Sequence, residues 1–266
     1  MKREDVVKEL KRRGYRAEKY EAVKNGVACK GILFRCENGV SPVVYTDEMI
    51  KREEQGENCV AHIANLIVGI YETYKEPDFD VNFLLDREFV LSHMRVGMQK
   101  TSEQHLEKGY CKFSEMETYL CVIWKASGQC STKLTPEYLK RIGISQTEAW
   151  EIGYKNTFED TKIFSMASLG LEDFGVDPRM YIFTNESGYL GASAILNSRA
   201  LKEFDKKSGN ETHKFFMLPS SIHEVIVIPY DDEYELEELS RLVREVNKTR
   251  VRPEEQLADR AYIIEV

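Results

Sequence analysis

Two Asn-Gly dipeptides, Asn25-Gly26 and Asn38-Gly39, constrain this chain more than any other feature. Each separates short apolar runs, and Asn-Gly supplies the two positive φ angles of a type I′ turn, the tight connection between antiparallel strands. The runs 16–24, 27–36 and 40–45 therefore read as a three-stranded antiparallel meander. A short helix precedes it: Val6, Val7 and Leu10 share one face, and Gly14 offers the left-handed residue that stops it.

After the meander, Thr46 or Asp47 caps a short helix ending near Gly56, and Asn58 caps a longer one. Val60, Ile63, Ile67, Ile70, Tyr71 and Tyr74 recur there at helical spacing until Pro77 ends the run. DVNFLL, from Asp80, reads as a strand returning to the meander, followed by a helix from Asp86 to about Gln99. The span 101–116 has no decisive period, whereas TYLCVIW from Thr118 is a buried strand by its aromatic and β-branched content.

The small polar stretch ASGQCST, from Ala126, divides the chain into two halves, 1–128 and 129–266. In the second half, Thr135-Pro136 opens a short helix closed by Gly143, and Ser145 with Glu148 forms a capping box for a helix from 146 to about 156. MYIFT from Met180 is a strand, 185–188 a turn, 192–196 a second strand and 198–207 a helix with Leu201 and Phe204 inward. Strands at 213–218 and 224–229 follow. An acidic run then loads the start of a helix whose Leu236, Leu239, Val243 and Val246 form one stripe, and AYIIEV ends the chain as a strand. Hairpin signals outnumber crossover units in both halves, so the fold class is α+β with mainly antiparallel sheets and packed helices.

Composition excludes several classes. With 266 residues, 42% hydrophobic and 31% charged, the chain can bury a substantial core. Its 37 Lys+Arg against 45 Asp+Glu give a net charge of -8, without the basic footprint of a nucleic-acid binder. The locally basic stretch 2–16 is the solvated face of the first helix. No apolar run approaches the roughly 20 residues of a membrane helix, and MKREDVVKELKRRG carries no secretory core, so the expected compartment is cytoplasmic. The cysteines Cys29, Cys36, Cys59, Cys111, Cys121 and Cys130 form no CxxC pair and are expected to be reduced.

No phosphate loop, GxGxxG, HExxH, GxSxG or kinase string is present. His62 has Cys59 one helical turn away, but zinc wants three or four ligands, and the pair reads as packing. Asp78, Asp80, Asp86 and Glu88 lack the order of a calcium loop and read as loop and cap carboxylates. Pro219-Ser220-Ser221-Ile222-His223-Glu224 is the densest polar string, with two hydroxyls, an imidazole and a carboxylate in six residues. A nucleophile there would need a base within about 2.6–3.2 Å and a third group orienting it. The simpler reading makes the serines a hydroxyl-capped turn and puts His223 and Glu224 on opposite sides of a strand.

Several strings carry a family resemblance: ISQTEAWEIGYKNT at Ile144, MYIFTN at Met180, LGASAIL at Leu190, LPSSIHEVIVIP at Leu218 and VREVN at Val243. With them goes the pattern of Val251, Pro253, Glu254, Glu255, Leu257, Asp259 and Tyr262, and more weakly Gly31 to Tyr45 and DFDVNF at Asp78. The chain resembles the bacterial domain-of-unknown-function family numbered 5688 over most of its length, except at 101–117. The resemblance implies a cytosolic bacterial protein and brings no activity, cofactor or catalytic residue.

The sequence thus leads to a soluble interaction or regulatory protein without catalysis. Either a groove between the two halves or the surface with Ser220, Ser221, His223, Glu224, Asn247, Glu254 and Glu255 is expected to contact a protein partner. No cofactor, metal, membrane or nucleic acid is expected. The alternative is a hydrolase or transferase using Ser221, His223 and Glu224; a weaker one is a decoy whose carboxylates from Asp231 onward block a nucleic-acid enzyme.

Overall fold

The computed structural model describes residues 2–36, 41–53, 60–74, 81–125, 129–169 and 179–266. Among them are eight α-helices and twelve strands in three antiparallel sheets, an α+β fold. The chain forms two compact units, Met1–Asp80 and Val81–Val266.

The first unit runs α1 (Arg3–Arg12), β1 (Ala17–Lys24), β2 (Val27–Phe34), β3 (Val43–Tyr45), α2 (Asp47–Glu53) and α3 (Val60–Tyr74). Pairing of Lys24 with Val27 leaves a two-residue turn at Asn25-Gly26, with φ of 48° and 76°, as a type I′ turn requires. The sheet order β1-β2-β3 is the expected meander. Val6 and Leu10 of α1 and Ile63 and Ile67 of α3 bury completely in one cluster with Ile32 and Phe34. Burying side chains of this size contributes roughly 1.5–3 kcal/mol each. Tyr71 stacks on Phe34 at 4.1 Å, and Tyr15 meets both rings edge-on. Asn38-Gly39, Gly56, Asn58, Cys59, Pro77, Asp78 and Asp80 lie outside the described residues.

The second unit opens on a 3-10 turn, Val81–Leu85, where the sequence suggested a strand. Phe83 packs here on Phe89 and Trp124, while Leu85 is left 45% exposed. Asp86 then caps α4 (Arg87–His93), its Oδ1 accepting the Phe89 N–H at 2.9 Å. The helix expected to reach Gln99 stops at His93, because Met94, Val96 and Met98 alternate with Arg95, Gly97 and Gln99 and form β4 (Met94–Lys100).

β4 pairs with β6 (Met116–Lys125), which also pairs with β5 (Lys108–Gly109) and β7 (Gln129–Lys133). The expected division near residue 128 thus falls between two paired strands of one sheet, and the contacts divide the chain earlier, at Asp80. One face of this sheet, with Val96, Leu120 and Val122, packs with Val90 of α4, Leu139 of α5 (Pro136–Arg141) and Ala149 of α6 (Gln146–Glu159). Thr135 and Ser145 cap α5 and α6 as expected, although the Glu148 carboxylate pairs with Arg87 instead of closing the box.

The third sheet has the order β12-β10-β11-β9-β8, from β8 (Thr161–Ser165), β9 (Tyr181–Asn185), β10 (Lys214–Leu218), β11 (Val225–Pro229) and β12 (Tyr262–Glu265). Phe183, Phe215, Met217, Val225 and Val227 share a cluster with Leu201 and Phe204 of α7 (Ser198–Ser208). Phe216, Leu218 and Ile228, on the other face, pack on Leu239 and Val243 of α8 (Leu236–Thr249). Two expectations fail here. Residues Ala192–Leu196 form a 3-10 turn, closed by bonds three residues apart from the Ala194 N–H to Gly191 O at 3.0 Å and from the Asn197 N–H to Ala194 O at 3.1 Å. Leu236 is 39% exposed, and the buried stripe of α8 contains Ser240 and Asn247 in its place. Long-range ties cross the unit: Ser193 Oγ donates to Val96 O at 2.5 Å, Tyr262 donates its hydroxyl to Ser114 O at 2.7 Å, and Lys100 pairs with Asp259 at 3.2 Å.

Candidate functional site

Pro219 to Glu224 form the connection between β10 and β11. The Ser221 N–H donates to Glu224 O at 3.1 Å, and Ser221 Oγ accepts the His223 N–H at 3.1 Å. A hydroxyl bonded two residues on is the local turn that serine favours, and here it buries Ser221.

His223 is held from every side. Its carbonyl oxygen accepts from the Gly191 N–H at 3.0 Å and from Thr184 Oγ1 at 2.8 Å. Its Nδ1 accepts the Leu190 N–H at 3.1 Å, which places the ring hydrogen on Nε2, 3.4 Å from Glu255 Oε1. Tyr189 lies tilted against the ring at 5.3 Å between centroids, and the Tyr189 hydroxyl reaches Ser131 Oγ at 3.0 Å. The Ile222 N–H adds a 2.8 Å bond to Glu255 O. Glu255 ends the 3-10 turn Pro253–Glu255 and also pairs with Arg252. Burial pushes its carboxyl up, but the hydrogen bond and charge of Arg252, joined by those of His223, outweigh this and hold it below the ordinary value.

The loop before the 3-10 turn is built to approach this closely. A Cβ on Gly191 would lie 2.5 Å from Thr184 Oγ1 and 2.6 Å from the Asn185 nitrogen. Leu190 stands at φ 53°, a left-handed conformation that costs a side-chain-bearing residue about 1–2 kcal/mol. Its N–H bond to His223 is one of the contacts that holds it there.

The seven sequence-predicted residues therefore separate. Ser221, His223 and Glu255 form the bracket, with Glu254 beside it at 3.9 Å from Arg252. Glu224 contributes its backbone carbonyl to the turn, and its side chain makes no hydrogen bond or ion pair among the described residues. Ser220 and Asn247 belong elsewhere: they line an apolar groove of about 80 Å³ with Leu218, Ile226, Leu242 and Val246. Asn247 is 4% exposed, and its Nδ2 donates to Ala258 O and Asp259 Oδ1, both at 2.8 Å. Its Oδ1 is buried without a hydrogen-bond partner among the described residues.

Chemically, the bracket leaves the imidazole no nitrogen free to accept a proton from a hydroxyl. Nδ1 is filled by a backbone donor and Nε2 carries its hydrogen toward a carboxylate, while no hydrogen bond joins Ser221 Oγ to the ring. Among the described residues, no group of three or more His, Cys, Asp or Glu is gathered as for a metal ion. Asp86 is a helix cap and Glu88 is exposed. In the acidic run, Asp231, Glu237 and Glu238 pair with Arg179, Arg244 and Arg241. No helix among the described residues is long and apolar enough to cross a membrane.

Sequence reasoning missed Thr184, Tyr189, Leu190 and Gly191 as partners of His223. The available signal was collective: MYIFTN, LGASAIL and LPSSIHEVIVIP, three of the strings that carry the resemblance, meet at His223, the first at its carbonyl oxygen and the second at its ring. It also missed a buried carboxylate. Glu117 accepts Gln99 Nε2 at 2.6 Å and Ser102 Oγ at 2.8 Å, and pairs with Lys108 at 3.1 Å. Burial pushes its carboxyl up, yet these three partners together bring it below the ordinary value.

The model of a family of unknown function, DUF5688, matches residues 2–265. The chain belongs to the DUF5688 family. Neither a curated protein nor a solved structure matches this DUF5688 chain. Within the DUF5688 match fall both the His223 bracket and the groove beside Asn247.

Proposed function

We propose that this DUF5688 protein works in the bacterial cytoplasm by binding a protein partner, without catalysis. The observation that carries the reading is the engagement of both His223 ring nitrogens, by Leu190 N–H and by Glu255. A general base needs an open nitrogen aimed at its proton donor, whereas a rigid bracket between β9, the 186–191 loop and the 253–255 turn holds a binding surface in shape. The compartment rests on the family resemblance and on cysteines that show no pairing pattern.

The test is to purify the tagged full chain from its native cells, identify what accompanies it, and reconstitute the complex from purified components. A saturable complex with no turnover on a panel of esters, phosphoesters and amides is the expected result. Turnover that disappears in folded His223→Gln, with no complex formed, overturns the proposal in favour of a hydrolase or transferase.

A further inference from the structure

β8 ends the third sheet on one side: among the described residues it pairs only with β9. Just past its end, the Met166 N–H donates to Met180 O at 2.9 Å. Opposed residues in an antiparallel pair alternate between exchanging both backbone bonds and exchanging none. Ser165 opposite Tyr181 and Ile163 opposite Phe183 therefore fall where none is exchanged, so the N–H and C=O of Ile163 and the N–H of Ser165 face away from the sheet. The Ser165 C=O is taken by Ser168 Oγ at 2.6 Å, whereas the other three groups have no partner among the described residues. A donor, acceptor and donor in a row along an open edge match the backbone of one more strand.

Charge decides which strand. On the α7 side of β8 lies an open hollow of about 390 Å³, lined by Ile163, Ser165, Tyr181, Phe204 and Lys207 among others. Lys162 and Phe164 belong to the opposite face by strand alternation, and Phe164 is 45% exposed. Neither Lys162 nor Lys207 makes a hydrogen bond or ion pair among the described residues. The carboxylates near them are already paired: Glu203, on the lining, with Arg199 at 3.0 Å, and Asp160 with Arg95 at 3.5 Å. Two uncompensated cations flanking an open edge repel a second copy of that edge and attract a negatively charged strand. We infer that the β8 edge takes up an extended acidic segment of a partner protein as a sixth strand, with apolar side chains entering the hollow and alternate carboxylates meeting Lys162 on the other face. The inference rests on the binding reading above and names where the partner sits: β9, which carries β8, also carries Thr184, the residue that holds the His223 carbonyl.

The probe is the peptide acetyl-Glu-Val-Glu-Leu-Glu-amide, with acetyl-Lys-Val-Lys-Leu-Lys-amide as the control of reversed charge. Titrated into the isotope-labelled full chain, the acidic peptide shifts the amide resonances of Ile163 and Ser165 saturably, and the basic control does not. Ser165→Pro removes an outward N–H without touching the ladder to β9 and abolishes the shift at Ile163. Lys162→Glu combined with Lys207→Glu weakens binding by about tenfold. If Ser165→Pro does not fold, the lysine variant and the basic control decide. Absent shifts, equal shifts with the basic control, or shifts indifferent to these variants overturn the inference. A dimer of this chain that Ser165→Pro dissociates gives the edge to a second copy and overturns it too. A purified partner that binds all the variants at unchanged affinity overturns the edge assignment and leaves the binding reading standing. Turnover without a partner removes the binding reading and the inference with it.

Discussion

Leu190 holds a left-handed backbone at φ 53° while its N–H donates to His223 Nδ1 at 3.1 Å, so a strained residue and a side-chain acceptor fix one another. Backbone in this region persists only where its surroundings over-determine it. The loop 186–191, the imidazole and the Pro253–Glu255 turn should accordingly gain or lose order together.

Removing the imidazole tests this coupling. His223→Ala leaves the Leu190 N–H without its acceptor and frees Glu255 from one partner. The expected loss is about 1–3 kcal/mol in urea denaturation monitored by circular dichroism. A loss within a few tenths of a kcal/mol of zero would show that the bracket is ornamental.

Gly191→Ala is expected to be more damaging than an exposed glycine substitution. The new methyl would meet the Asn185 backbone nitrogen at 2.6 Å, and backbone cannot step aside as a flexible side chain can. Overpacking of this kind costs about 1–3 kcal/mol or more. The measurement is the melting temperature compared with Gly69→Ala, where a Cβ meets nothing within 4 Å. Equal shifts at the two positions would contradict the close approach.

Acid should destabilise the second unit in a defined direction. The carboxyls of Glu117, Glu255 and Asp259 all titrate below their ordinary values, 4.5 for the glutamates and 3.8 for the aspartate. Groups depressed by folding contribute stability that is fully present above their unfolded values and lost as pH falls through the folded ones. Urea midpoints should be flat from about pH 7 to 5 and fall below about pH 4.5, with a shallower fall in Glu255→Gln. A midpoint that rises on acidification would refute the assignment.

Cys121 should resist alkylation. Burial pushes its thiol up to about 12, and its Sγ donates to Arg95 O at 3.6 Å. Only the thiolate is reactive, so iodoacetamide at pH 8 followed by mass spectrometry should label Cys121 in urea and spare it in the native protein. Native labelling at the rate of a small-molecule thiol would mean that this face of β6 opens readily.

Local chemistry was legible in the sequence, and assembled chemistry was not. Asn25-Gly26, Thr135, Ser145 and Asn197 each dictate a turn or cap through their own atoms, and Thr135 and Ser145 were read correctly from their strings. The segment 94–99 reads as a continuation of the helix from Asp86 only while the alternation of Met94, Val96 and Met98 with Arg95, Gly97 and Gln99 is overlooked, and pairing with β6 bears that alternation out. Ala192–Leu196 is apolar enough for a strand, and only its bonds three residues apart, such as the Ala194 N–H to Gly191 O at 3.0 Å, make it a 3-10 turn. The Ser220 to Glu224 string was recognisable as polar and dense, yet its meaning depends on atoms from Thr184, Leu190, Gly191 and Glu255 that no local pattern links.

The bonds from Ser193 to Val96, Tyr262 to Ser114 and Lys100 to Asp259 span from about a hundred to more than a hundred and fifty residues of chain. Contacts so distant along the polypeptide slow folding, since large loops must close before they reward the chain. During synthesis the β4–β6 hairpin would emerge well before the residues that complete these ties, and it must wait at the ribosome with part of its surface uncovered. That interval is when a chaperone would have most to offer this protein.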